Sequence, residues 1–79
     1  MAREAIYMPK YGMTMTEGII TEWHFKEGDM VNQGDPLVTV ETEKVDTDIE
    51  APVSGKLVGV RFAVDAEVPV GEIIAYIEH

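Results

Sequence analysis

The sequence of 79 residues predicts a small all-β sandwich or barrel. Short segments rich in β-branched residues alternate between apolar and polar positions, as strands with one buried face do. The seven glycines and four prolines stand singly between these segments, where turns are needed. No window of about ten residues keeps the apolar spacing of an amphipathic helix without a Gly or Pro. We therefore expect a single domain, residues 1–79, built of strands and turns.

Five strands follow from this pattern. In chain order they are Gly18–Trp23, Leu37–Glu41, Val45–Ile49, Lys56–Val60 and Ile73–Ile77. Part of the third, from Asp46 to Ala51, begins like a calcium-binding loop. Such a loop needs glycine at its sixth position, and Ala51 stands there, so we interpret the segment as a strand.

A weak internal repeat organises these strands. At an offset of 37, residues 18–41 align with residues 55–78 without a gap, and five of the 24 pairs are identical. The identical pairs are Gly18/Gly55, Phe25/Phe62, Val31/Val68, Gly34/Gly71 and Glu41/Glu78. Since neither half can cover its own apolar face, two copies related by a two-fold axis are predicted to form two facing sheets around one core.

The charge and the cysteine content exclude several classes of function. Six basic and fifteen acidic residues give 6 − 15 = −9, a charge that repels nucleic acids and anionic membrane surfaces. Without cysteine there is no disulfide, no thiolate nucleophile and no cysteine-bound zinc. We predict no metal site. The sequence has no apolar run of about 18 residues, and its start resembles neither a signal peptide nor a transit peptide, so a soluble intracellular chain is expected.

The segment from Leu37 to Glu50 is predicted to form a hairpin that turns at Glu43-Lys44. The predicted pairs are Thr42:Val45, Glu41:Asp46, Val40:Thr47, Thr39:Asp48, Val38:Ile49 and Leu37:Glu50. This register places Val38, Val40, Val45 and Ile49 on the core face, and Glu41, Asp46, Asp48 and Glu50 on the other face. Glu43-Lys44 suits a primed two-residue turn poorly, so a type I turn with extra loop residues is an equal alternative.

Acidic residues crowd this hairpin. Five of the fifteen acids fall within residues 41–50, where Lys44 is the only cation. Glu41 opposite Asp46 would destabilise the ladder by up to about 1 kcal/mol, which folding alone does not favour. The collar formed by Glu41, Glu43, Asp46 and Asp48 is interpreted either as a docking signal for basic partner surfaces or as a solvated face that aids solubility.

Four short segments of this chain form a recognisable set of motifs. They are Glu41-Thr42-Glu43-Lys44-Val45, Glu27-Gly28-Asp29-Met30-Val31, Gly34-Asp35-Pro36-Leu37 and Ala51-Pro52-Val53-Ser54-Gly55. Together they resemble the lipoyl domains of the acyltransferase (E2) components of 2-oxo acid dehydrogenase complexes, and the resemblance covers Met8 to Ile77. The opening Met8–Gly18 is similar to the corresponding segment of the pyruvate and acetoin dehydrogenase branches.

The resemblance implies a flattened barrel of two four-stranded antiparallel sheets with lipoic acid amide-linked to Lys44. The internal two-fold would then place the chain ends opposite the Lys44 turn. The domain would be a carrier without catalysis of its own, moving acyl groups and electrons between active sites. The implied partners are a thiamine-diphosphate-dependent E1, the E2 catalytic core, the FAD-dependent dihydrolipoamide dehydrogenase E3 and a lipoate ligase or transferase. The isolated domain is expected to be monomeric, in the cytoplasm of a bacterium or the mitochondrial matrix of a eukaryote.

In the same family, partners recognise the residues beside the lysine and the loop after the first strand. These correspond to Glu43 and Val45, with Glu41 and Asp46 beyond them, and to Met13, Thr14 and Met15. The two methionines could instead fill gaps in the core. Two alternatives remain: a biotin carrier domain, which typically has methionines on both sides of its lysine, and an unmodified interaction domain of the same fold. An enzyme with a histidine-based triad is disfavoured by the sequence, in which His24 is interpreted as structural.

Overall fold

The computed structural model describes residues 2–10, 12–13, 15–43 and 45–79, and all the regular structure among them is β. Eight strands follow one another along the chain. They are β1 (Arg3–Tyr7), β2 (Glu17–Trp23), β3 (Met30–Val31), β4 (Pro36–Glu41), β5 (Asp46–Glu50), β6 (Gly55–Val58), β7 (Glu67–Pro69) and β8 (Ile73–Glu78). The predicted all-β fold class is confirmed.

The strands form two four-stranded antiparallel sheets, as the resemblance implies. The first sheet has the order β1-β8-β6-β3, and the second has the order β5-β4-β2-β7. The strands correspond one to one in this order, with β1 equivalent to β5, β8 to β4, β6 to β2 and β3 to β7. Equivalent strands are four places apart along the chain. The two sheets are therefore two copies of one arrangement.

Backbone hydrogen bonds confirm the internal repeat. The Gly28 N–H donates to the Leu57 carbonyl at 2.6 Å, and the Asp65 N–H donates to the Ile20 carbonyl at 2.7 Å. The two donors, Gly28 and Asp65, are 37 residues apart, and so are the two acceptors, Ile20 and Leu57. Each bond therefore joins the two halves in the opposite sense to the other, as a two-fold rotation requires. Gly28 has a φ of 97°. Its repeat equivalent, Asp65, also lies in the left-handed region, with a φ of 74°.

One apolar core lies between the sheets. Its buried members are Ile6, Met8, Met15, Ile20, Val31, Leu37, Val38, Val40, Ile49, Ala51, Leu57, Val68, Ile74, Ala75 and Ile77. Partly buried aromatic residues pack against it, among them Trp23, whose Nε1–H donates to the Phe62 carbonyl at 3.0 Å. Both halves of the repeat contribute to this core, so neither half could bury its apolar face alone.

The five predicted strands correspond to β2, β4, β5, β6 and β8, with small differences at their ends. The prediction that the fourth strand reaches Val60 was wrong, because the chain leaves the sheet after Val58 and Gly59 has a φ of 60°. The third strand begins at Asp46, one residue later than predicted, and it is a strand as interpreted. β1, β3 and β7 were not identified from periodicity.

The chain ends and the hairpin belong to different sheets. Ala2 and His79 exchange two backbone hydrogen bonds of 2.8 Å at the end of the β1–β8 pair. The hairpin is formed by β4 and β5 of the second sheet, and β5 leads away from its turn toward Gly55, which lies against Glu78. This arrangement agrees with chain ends opposite the turn. Lys44 itself lies outside the described residues.

Candidate functional site

The register of the β4–β5 hairpin is confirmed over most of its length. Pairs join residues 38–41 to residues 46–49 as predicted, including Glu41 opposite Asp46. The prediction that Leu37 pairs with Glu50 was wrong, because the register shifts between Pro36 and Val38 and Pro36 stands opposite Glu50. A bulge of this kind allows two consecutive apolar residues, here Leu37 and Val38, to be buried together.

Val45 was assigned to the core face, and this assignment is corrected. Val38, Val40 and Ile49 on that face are buried, whereas Val45 is 50% exposed. The reason is its position at the turn between β4 and β5, outside both strands. Val45 therefore presents an apolar side chain to solvent next to the predicted attachment lysine.

Thr42 and Val45 close the turn with three hydrogen bonds. The Thr42 N–H donates to the Val45 carbonyl at 3.0 Å, and the Thr42 hydroxyl donates to the same carbonyl at 2.8 Å. The Val45 N–H donates to the Thr42 hydroxyl at 3.2 Å. We call this set of bonds the Thr42–Val45 clasp. It confirms the predicted Thr42:Val45 pair.

The turn inside the clasp is not a primed turn. Both primed types need a positive φ at the first central residue, which is Glu43. Among the described residues other than glycine, only Asp65 has a positive φ. The structure thus supports the objection to a primed turn that the residue types raise.

Lys44 lies outside the described residues, so its predicted exposure stays a prediction. Its two neighbours in sequence are known: Glu43 is exposed and Val45 is half exposed. The chain on both sides of position 44 therefore faces solvent.

The loop after β1 divides into residues with different roles. Met13 is 94% exposed, whereas Met15 is 8% exposed and belongs to the core. Met15 therefore fills the core, the alternative that the sequence left open for both methionines, while Met13 presents its side chain to solvent. Thr14, the third predicted residue of this loop, lies outside the described residues.

An open groove of about 330 Å³ lies beside the hairpin. Its lining comes from the end of the loop, from the hairpin and from β7, namely Met15, Thr16, Glu17, Gly18, Ile19, Glu41, Thr42, Glu43 and Glu67. The groove brings together three of the predicted site residues: Met15, Glu41 and Glu43. Glu17 and Glu67 are additional members that were missed.

No signal in the sequence marks Glu67 as part of this site. It lies 24 residues beyond Glu43 in a strand of three residues, too short for any periodic signal. Its repeat equivalent, at an offset of 37, is Met30 of β3, the edge strand of the first sheet. The edge positions of both strands follow from the strand order and not from the sequence.

A row of side chains on the outer face of the second sheet is strongly acidic. Pairing across β5, β4, β2 and β7 aligns Asp46, Glu41, Ile19 and Glu67. Two carboxylates stand directly opposite each other in this row, and a third lies one strand beyond Ile19. We call it the acidic row.

The equivalent row of the first sheet has different charges. Pairing across β1, β8, β6 and β3 aligns Arg3, Glu78, Lys56 and Met30. Here Arg3 forms an ion pair with Glu78, with 3.4 Å between Nε and Oε2. The same backbone positions thus hold two cations and one anion in one sheet and three anions in the other. The fold accepts either charge pattern, so it does not require the acidic row.

Replacing Asp46 by Asn should stabilise the domain. The substitution removes one of the two like charges that face each other across the ladder, an effect of up to about 1 kcal/mol in the free energy of unfolding. Glu72→Gln, in an exposed turn far along the chain, changes the net charge equally and serves as the control. Urea unfolding of both variants and the parent at low salt measures the effect. Equal stability of the two variants would show that the opposition of Glu41 and Asp46 is harmless.

His24 takes part in a polar network on the outer face of the second sheet. The Thr39 hydroxyl donates to Asp48 Oδ1 at 2.6 Å. Since its single proton is used there, it accepts a bond of 2.8 Å from His24 Nε2. Strand pairing places Asp48 opposite Thr39, and its Oδ1 lies 3.8 Å from His24 Nε2.

The direction of these bonds is opposite to that of a nucleophilic triad. In a triad the histidine accepts the proton of the hydroxyl, whereas here the histidine donates and the hydroxyl proton goes to the carboxylate. The network therefore supports the structural interpretation of His24. Asp48 is part of it, which sets this residue apart from the other acids of the collar.

Two searches of the described residues were negative. In residues 2–10, 12–13, 15–43 and 45–79, no cluster of three or more His, Cys, Asp or Glu side chains is arranged to hold a metal ion. Within those same ranges, no helix has the length and apolar character that a membrane crossing needs.

Comparison with known proteins places the chain in a family. The family model Biotin_lipoyl, described as "Biotin-requiring enzyme", matches residues 4–77. The acetyltransferase component of the pyruvate dehydrogenase complex of Mycobacterium bovis is 47% identical over 72 residues. The corresponding component of the acetoin cleaving system of Pseudomonas putida is 43% identical over 70 residues. These matches cover 91% and 89% of this chain but only 13% and 19% of the relatives.

Two solved structures share the fold. Urea carboxylase from Kluyveromyces lactis has a TM-score of 0.82, with 99% of this chain and 6% of that chain covered. The lipoyl domain of the 2-oxoglutarate dehydrogenase complex from Azotobacter vinelandii has a TM-score of 0.76, with 95% and 98% covered. Both are 23% identical to this chain, so the higher score of the carboxylase carries no information about the attached group.

The sequence relatives, which are about twice as similar, decide between the branches of the family. They are dihydrolipoyllysine-residue acetyltransferase components of pyruvate and acetoin systems, the two branches indicated by Met8–Gly18. The resemblance stated from the sequence is confirmed. The chain belongs to the biotinyl/lipoyl-attachment family, on the side of the lipoyl domains of E2 acyltransferase components.

Proposed function

We propose that this chain is a carrier domain that holds lipoate on Lys44 and moves acyl groups and electrons between the active sites of a 2-oxo acid or acetoin dehydrogenase complex. The observation that carries the proposal is the solvent-facing turn of the β4–β5 hairpin, with Lys44 between exposed Glu43 and half-exposed Val45. The E2 relatives support the choice of lipoate.

The surroundings of position 44 fit a covalently attached arm. A carrier group must leave the protein surface to reach separate active sites, and both neighbours of Lys44 face solvent. An open groove lies beside the hairpin and is lined in part by Glu41, Thr42 and Glu43. Lipoate bound there would supply a disulfide that accepts an acyl group and two electrons.

The chain's own contribution is presentation. A hairpin that is paired along β4 and anchored in the core by Val38 and Val40 holds the turn in a fixed place. Attachment to a larger assembly would then raise the effective concentration of the arm at each partner site. We assign no catalytic residue to this chain, and the direction of the His24 network supports that assignment.

The acidic row and Glu43 are proposed to dock on cationic surfaces of the partners. These partners would be the thiamine-diphosphate-dependent E1, the E2 catalytic core, the FAD-dependent E3 and the lipoate ligase. The comparison with the first sheet supports docking rather than folding as the reason for Asp46 and Glu67, because the equivalent backbone positions there hold Arg3 and Met30. The complex would be cytoplasmic in a bacterium or in the mitochondrial matrix of a eukaryote.

The alternative of a biotin carrier is disfavoured by the residues beside the lysine. Biotin carrier domains typically have a methionine on each side, and here Glu43 and Val45 stand there. The two functions are separated by incubating the purified domain with ATP and either lipoate and lipoate ligase or biotin and biotin ligase. Intact mass spectrometry is expected to show one lipoyl group per chain and no biotinyl group. A biotinyl group alone, or no gain with either, would overturn the proposal.

Glu43→Ala and Val45→Ala should each lower the efficiency of lipoylation while leaving the fold intact. Both side chains are exposed beside Lys44, so a ligase that reads the turn would lose a charged or an apolar contact. Glu72→Ala, an exposed acid in another turn, is the matched control. The initial rate of mass gain measures the effect. Rates equal to that of the control would remove Glu43 and Val45 from the recognition surface.

A further inference from the structure

We propose that Thr42 is the positioning residue of the attachment turn, and that its hydroxyl sets the geometry in which Lys44 meets the lipoate ligase. This inference rests on the proposed function. Thr42 is uncharged and half buried, and neither charge nor the family resemblance distinguishes it as a site residue. The hydrogen bonds of the Thr42–Val45 clasp distinguish Thr42 from its neighbours as a site residue.

The Thr42 hydroxyl acts as donor and acceptor toward one residue. It donates to the Val45 carbonyl at 2.8 Å and accepts from the Val45 N–H at 3.2 Å. The Thr42 N–H donates to the same carbonyl at 3.0 Å. A single side chain therefore supplies two of the three bonds that join the residues before and after Glu43-Lys44.

The backbone explains why a side chain is needed here. Tight two-residue turns match the twist of the flanking strands when they are primed, which needs a positive φ at the first central residue. Glu43 does not have one. An unprimed turn matches the twist of the flanking strands less well, and at this point the Thr42 hydroxyl adds two bonds to the polar backbone groups of Val45.

The like charges next to the turn increase the need for the clasp. Glu41 and Asp46 face each other in the pair just before the clasp, and their repulsion acts to separate the strands at this end. The three bonds between Thr42 and Val45 oppose that separation. The hydroxyl thus helps to hold the two strands together at the end of the hairpin where Glu41 and Asp46 repel each other.

Removing the hydroxyl should therefore act on presentation more than on stability. Thr42→Val keeps the β-branched shape and removes the hydroxyl with its two bonds to Val45, whereas Thr42→Ser keeps the hydroxyl and removes only a methyl group. Thr47→Val makes the same chemical change in the same hairpin. Within the described part of the chain the Thr47 hydroxyl makes no hydrogen bond, so this variant is the matched control.

The test follows lipoylation of the parent and the three variants by intact mass, using free lipoate, ATP and lipoate ligase over a range of domain concentrations. Thr42→Val is expected to lower kcat/KM about fivefold, the effect of losing about one net hydrogen bond. Thr42→Ser and Thr47→Val should stay within about twofold of the parent. Salt screens the repulsion between Glu41 and Asp46 that the clasp opposes, so the loss in Thr42→Val should be smaller at high salt.

Amide hydrogen exchange gives a second readout that does not use the ligase. The Val45 amide should exchange faster in Thr42→Val than in the parent, while exchange of the β8 amides stays unchanged. Equal loading and equal Val45 exchange in Thr42→Val and the parent would overturn the inference. So would a Thr42→Ser variant as impaired as Thr42→Val. A parent that takes no lipoate would instead defeat the proposed function.

Discussion

Replacing Lys44 by Arg is expected to abolish both lipoylation and acyl transfer while leaving the fold unchanged. Arginine keeps the positive charge and a similar length, so the net charge of −9 and the local field are preserved. Its guanidinium stays protonated and cannot serve as the nucleophile that forms the amide. Both neighbours of position 44 face solvent, so the larger head group meets no packed side chain from them.

The measurement is intact mass after incubation with lipoate, ATP and ligase, together with thermal unfolding. Lys10→Arg is the matched control, because Lys10 is exposed on the loop that leads to the same groove and is also a lysine. The control should load like the parent, and both variants should unfold near the temperature of the parent. A lipoyl group on Lys44→Arg would show that another side chain carries the arm.

Replacing Gly55 by Ala is expected to destabilise the domain more than any other change proposed. A Cβ at this position would meet the Glu78 carbonyl oxygen and would lie 2.8 Å from Ile77 Cγ2. The nearest atom is backbone in the neighbouring strand β8, so the sheet itself has to shift. Overpacking of this kind costs about 1–3 kcal/mol, which lowers the midpoint of a domain of this size by about 4–8 °C for each kcal/mol.

Two other glycines calibrate this prediction. Gly12→Ala meets nothing within 4 Å and should leave the midpoint unchanged. Gly18 is the repeat equivalent of Gly55, but there a Cβ would meet Met8 Sδ at 2.9 Å. A thioether side chain can move, so Gly18→Ala should fall between the other two. Equal midpoints for Gly55→Ala and Gly12→Ala in thermal unfolding would contradict the steric account.

The identity of Gly18 and Gly55 also shows how the sequence predicted the fold. Both residues begin the parts of the repeat that align, and both stand where another chain segment comes close. The offset of 37 was detectable because such steric requirements and the buried Val31 and Val68 recur in both halves. Two facing sheets followed from that offset, and the strand order confirms them.

The central part of the hairpin register was predictable for a different reason. Alternation along β4 and β5 favours a pairing that buries Val38, Val40 and Ile49 together, and a shift of β5 by one residue would turn Ile49 to the face opposite Val38 and Val40. Alternation says nothing about where the facing sheet ends. For that reason Val45 was assigned to the core although it lies beyond it.

Contacts between segments distant in sequence could not be predicted. β3 has two residues and β7 has three, and pairing with their neighbours, rather than an apolar period, makes them strands. The bulge at Leu37, the approach of Asp48 to His24 and the place of Glu67 in the groove all depend on how strands are placed side by side. The clasp was hidden for the same reason, since its geometry depends on the conformation of the turn.

The central claim is that one lysine of four carries the arm, and peptide mapping of the lipoylated domain tests it most directly. The four candidates are Lys10, Lys26, Lys44 and Lys56. After loading with ligase, digestion and fragment mass spectrometry, the lipoyl group is expected on Lys44 alone. A lipoyl group on Lys10, Lys26 or Lys56, or its absence from all four, would contradict the account.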